Sequence, residues 1–234
     1  MISVCIATYN GEKYLREQLD SILCQLTDTD EVIISDDGSS DNTIKIIESY
    51  ADHRIKLFFN QGKHGYVTNF ENALINAKGD YIILSDQDDV WMPNKVTIVS
   101  ERLKTYDLIM HDAEIVDGAG KRLGKTFYSI IGHKHTGFFA NCLRPRFLGC
   151  CMAFNKKVLA KALPMNSLDH DYWIGMLALC KFKVAFIDDK LICYRRHGGN
   201  VSSTSEKSTN SLYRKVSKRV KLICALVRRL IFNK

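Results

Sequence analysis

Along the first ninety residues, short apolar runs alternate with segments whose apolar positions recur every three or four residues. Ile2 to Ala7 has the composition of a buried strand and is broken by Thr8-Tyr9-Asn10-Gly11. From Glu12 to Leu26 the apolar positions Tyr14, Leu15, Leu19, Ile22, Leu23 and Leu26 follow helical spacing. Glu31 to Ser35 predicts a second strand. It runs into Asp36-Asp37-Gly38-Ser39-Ser40-Asp41, where Ser40 or Asp41 can cap a helix from Asn42 to Tyr50. Ile55 to Phe59 predicts a third strand, followed by the turn-rich Asn60-Gln61-Gly62-Lys63-His64-Gly65. Val67 to Ala77 predicts a helix with Phe70, Ala73, Leu74 and Ala77 on one face. Lys78-Gly79-Asp80 stops it before a fourth strand, Tyr81 to Leu84.

This alternation implies an α/β domain with a parallel sheet. Ligands bind such sheets at the carboxyl ends of the strands. Three polar clusters fall at those ends: Thr8-Tyr9-Asn10, Asp36-Asp37-Gly38-Ser39 and Asp86-Gln87-Asp88-Asp89. Each alone is an ordinary turn or cap. Their shared position on one sheet edge argues for a binding site.

The second half is less regular. Lys95 to Leu103 predicts a helix, Leu108 to His111 a strand, and Ile115 to Leu123 a hairpin with glycine turns. Thr126 to Pro145 lacks clear periodicity and is expected to be a long loop. A strand over Phe147 to Phe154, helices over Lys156 to Leu163 and Asp169 to Cys180, and short strands over Phe182 to Ile187 and Lys190 to Tyr194 complete the pattern. Val201 to Ser211 has the composition of a linker.

Charge changes this picture only at the end of the chain. The net charge is +7, but residues 212–234 hold eight Lys or Arg and no acid, leaving 25 basic against 26 acidic residues elsewhere. The body of the domain is therefore not a nucleic-acid-binding surface. Leu212, Val216, Val220, Ile223, Val227 and Leu230 recur at steps of three and four, with most basic residues on the other side. That is a basic amphipathic helix suited to an anionic membrane surface; a helix folded back on the domain or a dimer contact has the same pattern. The opening residues have no signal-peptide pattern, and no run is long and apolar enough to span a membrane. Eight cysteines without a CxxC pair read as reduced core thiols of a reducing compartment.

The acidic loop carries the sharpest chemistry. Three carboxylates in four positions repel one another unless a positive charge sits among them. A hard divalent cation, which takes oxygen ligands, meets that need; a solvated loop capped by Asp89 or Asn94 is the alternative.

The motifs Ser3-Val4-Cys5-Ile6-Ala7-Thr8-Tyr9-Asn10-Gly11, Ile34-Ser35-Asp36-Asp37-Gly38-Ser39-Ser40-Asp41 and Ser85-Asp86-Gln87-Asp88-Asp89-Val90-Trp91 resemble those of family 2 glycosyltransferases. So do His170-Asp171-Tyr172-Trp173 and Tyr194-Arg195-Arg196-His197-Gly198-Gly199-Asn200. The resemblance covers about residues 1 to 205. Two of these forms look most like bacterial rhamnosyltransferase-type enzymes of surface polysaccharide synthesis. It implies a GT-A fold, a Rossmann-like α/β unit with a mixed central sheet, here with the basic amphipathic helix appended. The implied organisation is a transferase domain over 1–205, with a nucleotide-sugar half (1–105) and an acceptor half (106–205), followed by a linker and helix over 206–234.

The same resemblance implies the roles. Asp88 is a direct ligand of Mg2+ or Mn2+, His197 completes the metal and diphosphate site, and Asp86 faces the ribose or the metal. Asp37 reads the pyrimidine. Thr8, Tyr9, Asn10, Glu12 and Gln87 surround base and ribose, and Asn60, Gly65 and Asn69 line the nucleotide side. Asp171 is the catalytic base, with Asp169 the competing choice and otherwise a helix N-cap; whether burial or the helix terminus dominates its acidity stays open. Asp112 is placed near the sugar and Asp117 in a turn, while Trp173 fits either a sugar platform or the core. One base without a covalent nucleophile implies inverting transfer from a UDP- or dTDP-sugar, with rhamnose a candidate, to a glycan or lipid-linked glycan. The expected location is cytoplasmic, peripheral at the inner face of the cell membrane. The competing readings are a catalytically silent nucleotide-sugar-binding protein and an NAD-dependent enzyme. No GxGxxG follows the first strand to support the latter.

Overall fold

The computed structural model describes residues 1–132, 137–165, 168–198 and 212–232. The expected linker at 201–211, with Gly199 and Asn200, lies outside the described residues. β1 (Ile2–Thr8) leads through a tight turn to α1 (Leu15–Leu23), β2 (Glu31–Asp36) to α2 (Thr43–Ser49), and β3 (Ile55–Phe59) to α3 (Tyr66–Asn76). β4 (Tyr81–Ser85), the two-residue β5 (Val90–Trp91), α4 (Lys95–Leu103), β6 (Leu108–Asp117) and β7 (Arg122–Thr126) follow. Next come α5 (Phe127–Ile131), α6 (Phe138–Leu143), a 3-10 turn (Gly149–Cys151), β8 (Met152–Asn155), α7 (Lys156–Ala162), α8 (His170–Lys181) and β9 (Val184–Arg196). α9 (Leu212–Val227) ends in a wider π turn over Arg228–Phe232.

One sheet of nine described strands runs β3-β2-β1-β4-β8-β6-β9-β5, with β7 on β6. β3, β2, β1 and β4 are parallel; β8 is antiparallel to both β4 and β6, and β9 runs parallel to β6. β1 and β2 are covered on both faces, which is why their sequences are apolar at successive positions rather than alternating. The chain leaves β1 towards β2 on one side and returns as β4 on the other. The crevice at this switch, beyond the carboxyl ends of the strands, holds the polar clusters.

Several boundaries differ from the expected ones. α1 starts at Leu15 and not at Glu12, because Gly11 turns the chain: its carbonyl accepts from both Tyr14 and Leu15 N–H. The two expected strands after residue 182 are one strand, β9, whose partner changes from β6 alone to β6 and β5 along its length. The expected loop over 126–145 contains α5 and α6. α5 begins with a capping box in which Thr126 and Ser129 exchange side-chain to backbone bonds. Asn94 adopts left-handed backbone and its side chain caps nothing. Asp112 is buried and accepts from Ala113 and Tyr128 N–H, so it fixes the start of α5. Asp117 serves the turn, as expected. Trp173 is core: it is fully buried and donates to the Ala162 carbonyl. All eight thiols are free, but Cys24, Cys180 and Cys224 are exposed and are not core residues.

α8 is seated by a close approach. A Cβ at Gly175 would collide with the Phe147 ring, so α8 lies against Phe147 only because this position has no side chain. Gly175 follows Asp171 by about one turn. Gly175→Ala is expected to destabilise the fold by about 1–3 kcal/mol, through overpacking that lifts the helix; a lower urea midpoint with unchanged slope checks it.

Candidate active site

The polar strand ends open into a cleft of about 1420 Å³. Thr8, Tyr9, Asn10, Asp37, Gly65, Asn69, Asp86, Gln87, Asp88, Asp171 and His197 all line it. Two predicted residues do not. Glu12 points outward and accepts from the backbone and side chain of Asn42, because the late start of α1 leaves it in the turn. Asn60 stands behind Asp37 and donates to it.

On the β2 side, Asp37 is held by Asn60 Nδ2 at 2.7 Å and Gly65 N–H at 2.8 Å, with His64 Nδ1 at 3.1 Å. Its neighbour Asp36 accepts from Thr8 Oγ1 and from the Gly38 and Ser39 N–H groups, and so shapes the turn that presents Asp37. The Thr8 hydroxyl is thus a buried structural donor. Gln87 makes a pair of bonds with the Tyr9 backbone, tying the β4 loop to the β1 loop. The Tyr9 ring projects into the cleft, 57% exposed. Buried Asn69 donates to the Thr8 carbonyl, and its Oδ1 has no partner.

The acidic loop has three carboxylates in three different settings. Asp89 is fully buried and accepts the Arg195 N–H at 3.0 Å, joining the loop to β9; it caps no helix. Burial and the neighbouring Asp88 push its proton affinity well up. Asp86 is raised to about 7, first by burial and then by Asp88. Asp88 and His197 converge, with Oδ2 and Nε2 2.8 Å apart. Arg195 clamps the arrangement: its guanidinium bonds the Asp88 carbonyl and Glu17 and lies over the Tyr14 ring, which itself packs on His197.

Part of the positive charge that the loop demands comes from within the chain. Lys95 is fully buried, with Nζ on the Cys150 carbonyl at 3.1 Å and 4.2 Å from the centre of the Trp91 ring. Burial lowers it only to about 8, and the charges of Asp86 and Asp89 act to keep it protonated. Gln18 of α1 donates to Ser85 Oγ and to the Asp86 carbonyl. Lys95, Gln18 and Cys150 carry no sequence signal for this role, and Arg195 is marked only by its place in the motif that ends in His197-Gly198-Gly199-Asn200. A lysine and a glutamine on predicted helices look like solvent-facing residues, and only their place on the buried face distinguishes them.

Asp86, Asp89 and Cys150 bring ligand atoms within 4.8 Å of one another. The buried Cys150 thiol is pushed well up, first by burial, and stays protonated. A protonated thiol is a poor ligand for a hard cation. The half-buried, cleft-lining Asp88 and His197, with Asp86 beside them, are the better fit for a divalent ion.

Across the cleft, Asp171 lies in the first turn of α8 and accepts the Tyr172 N–H at 2.6 Å. Burial, and then Asp169, raise it to about 7. Burial therefore outweighs the helix terminus. Asp169 occupies the N-cap position without capping: it takes Tyr66 OH at 2.5 Å and the Lys218 ammonium. Burial works against its charge, but these two donors outweigh it and hold Asp169 below the usual carboxylate range. His170, between them, stacks on Phe70 and is lowered by burial to about 4, so it is neutral. The cleft thus has a carboxylate held ionised at neutral pH and a proton-accepting one two residues apart.

The family model for glycosyl transferase family 2 matches residues 3–163. The chain belongs to this family. It is 31% identical over 232 residues to an uncharacterized glycosyltransferase of Nostoc sp., spanning 90% of this chain and 70% of that one. It is 27% identical to the Escherichia coli UDP-Glc:alpha-D-GlcNAc-diphosphoundecaprenol beta-1,3-glucosyltransferase WfgD, over 88% of this chain and 81% of that protein. Other curated relatives are longer, and the chain spans 37% and 60% of two of them. Among solved structures, Staphylococcus aureus TarS 1–349 in complex with UDP-GlcNAc superposes with TM-score 0.69 at 18% identity, over 97% of this chain and 72% of that one. Glucosyl-3-phosphoglycerate synthase from Mycobacterium tuberculosis, in complex with Mn2+, UDP and phosphoglyceric acid, superposes with TM-score 0.58 at 19% identity, over 98% and 78%. The fold of this transferase is accordingly GT-A.

Proposed function

We propose that this transferase moves a sugar, with inversion, from a UDP- or dTDP-linked donor to a hydroxyl of a glycan or lipid-linked glycan in surface polysaccharide synthesis. Rhamnose is one candidate sugar. The observation that carries the reading is a single cleft joining Asp37, the Asp88–His197 pair and the proton-accepting Asp171. The E. coli relative, named for a UDP-glucose donor and a diphosphoundecaprenol-linked acceptor, supports the choice of substrate classes.

The nucleotide lies at the β1–β2 end. Tyr9 offers a ring face to the base, and Asp37, immobilised by its donors, accepts the pyrimidine N3–H. Asn10 and Gln87 shape the ribose side, and buried Asn69 holds the Thr8 carbonyl beneath it. Asp88, His197 and Asp86 hold Mg2+ or Mn2+, which when bound offsets the charge that builds on the departing diphosphate. The acceptor hydroxyl oxygen bonds to the anomeric carbon while its proton passes to Asp171. The bond to the diphosphate oxygen breaks, and that oxygen keeps the electron pair. Residues 1–105 serve the nucleotide and 106–205 the acceptor, with 212–234 against an anionic membrane surface at the cytoplasmic face. Among the described residues no helix is long and apolar enough to cross a membrane.

A thermal-shift panel of UDP-, dTDP- and GDP-sugars, with and without manganese, tests the donor assignment. A true donor at about 100 times its Kd adds about 2.7 kcal/mol of stability. Equal shifts with all three bases would remove the pyrimidine role of Asp37.

A further inference from the structure

α9 has two sides with different partners. Its inner side is fastened to the domain: Leu222 and Leu226 are buried, and Arg229 donates to the carbonyls of Lys161, Leu163 and Pro164. Lys218 reaches Asp169 at the cleft, and Arg219 donates to the Cys142 and Leu143 carbonyls at the end of α6. The apolar residues that define the amphipathic pattern are mostly on the other side. Val216 and Val220 are 50% and 53% exposed, and Ile223, Val227 and Ile231 continue the row at 45%, 45% and 60%. Their spacing of four, three, four and four places them in one stripe.

A second exposed apolar pair adjoins this stripe. On α6, Phe139 and Leu143 are four residues apart, hence on one face, and are 82% and 70% exposed. Arg219 binds the Leu143 carbonyl and lies within a turn of Val216, Val220 and Ile223, so the two apolar sets meet there. The surroundings are basic: Arg144, Lys221 and Arg228 are exposed, and residues 212–232 contain no acid.

We propose that the outer stripe of α9 and the tip of α6 together form a docking face for an anionic lipid bilayer, engaged while α9 stays seated on the domain. An apolar stripe bordered by cations, on a helix without acidic residues, matches the acyl boundary and the anionic headgroups of such a surface. A second copy of the chain fits worse, because two-fold pairing would bring each basic border against itself. Membrane contact and packing on the domain, which compete when the helix is read from sequence, use different sides of it. Lys218 lies on this helix and at the cleft, so the bound bilayer adjoins the acceptor end of the site. That last consequence rests on the lipid-linked acceptor reading; the docking face does not.

The full chain is tested by co-sedimentation with phosphatidylcholine vesicles, alone or mixed with phosphatidylglycerol. Binding to the mixed vesicles is expected to be at least about tenfold tighter and to weaken with salt. Phe139→Ser with Leu143→Ser, and separately Val220→Ser with Ile223→Ser, are each expected to lower that binding about tenfold. Melting temperature and turnover of a short soluble acceptor should stay unchanged in both, since these side chains face solvent. Wild-type vesicle binding by the α6 pair would overturn the proposal, as would equal binding to neutral vesicles. Self-association without vesicle binding, removed by the same substitutions, would overturn it in favour of a second copy. Vesicle binding by a chain that transfers no sugar would sustain the docking face while removing the catalytic reading.

Discussion

Asp171→Asn is expected to reduce transfer by about 10²–10⁴-fold while making the protein more stable at alkaline pH. Asparagine keeps the shape and can still accept the Tyr172 N–H, but cannot take the acceptor proton. In the parent, only the ionised carboxylate works, and its affinity for a proton lies at about 7. Its kcat/KM should therefore rise about tenfold per pH unit below that value and level off above it. The stability effect has the opposite sign. The folded carboxyl holds its proton to about 7, whereas the unfolded one releases it near the usual 3.8. The folded state binds the extra proton between those values, so the group's contribution to stability is full below 3.8 and is lost as pH rises through about 7. The asparagine variant escapes that loss. Urea unfolding should find it more stable than the parent at pH 8 and nearly equal at pH 4. An equal rate reduction without this pH-dependent gain would mean that Asp171 sits in a wetter site than its burial indicates. Transfer that survives the substitution would assign the base elsewhere, with Asp169 the nearest carboxylate.

Lys95→Met is expected to cost about 1–3 kcal/mol, because it leaves the buried Cys150 carbonyl without its donor. At about 2–4 °C per kcal/mol for a chain of this size, the melting temperature should fall by about 2–12 °C. Methionine preserves most of the packing against Trp91, so little of this comes from a cavity. The companion measurement is a double-mutant cycle with Asp89→Asn. Burial already holds Asp89 protonated, so the two losses should add to within about 0.5 kcal/mol. A double variant clearly more stable than that sum would instead mean that Asp89 is ionised and that Lys95 is its counter-charge.

The elements most legible in sequence are those whose surroundings are simplest. β1, β2 and β4 lie at the middle of the sheet, so burial on both faces writes them as apolar runs. β7 was readable only as one arm of a hairpin, because its residues are mostly exposed and packing constrains them little. α5 and α6 were missed because neither is long enough for periodicity to register, and α6 starts at a glycine with no side-chain cap. The cleft residues were legible where a motif sits at a strand end, as with Asp37, Asp86 to Asp88 and His197. Glu12 just follows the first motif and Asn60 lies in a turn-rich loop outside the motifs; a one-turn change in where α1 begins and one hydrogen bond to Asp37 turn them away from the cleft. The supporting set of Gln18, Lys95 and Cys150 was illegible for a common reason. Each acts through a partner far away in the chain, and nothing local distinguishes it from a surface or core residue. The tail pattern was visible as amphipathic, but Leu222 and Leu226, and not the stripe through Val216 and Val220, face the domain.

The bond from the Arg195 N–H to Asp89 joins residues separated by 106 positions. On the ribosome, at about 5–20 residues per second, β9 emerges roughly 5–20 s after the acidic loop. The nascent nucleotide-binding half must therefore carry its crowded carboxylates through that interval without Arg195 or His197. Lys95, only six positions beyond Asp89, is present from the start. It is a cation that the first half of the sheet itself supplies beside Asp86 and Asp89 before the last strand closes the site.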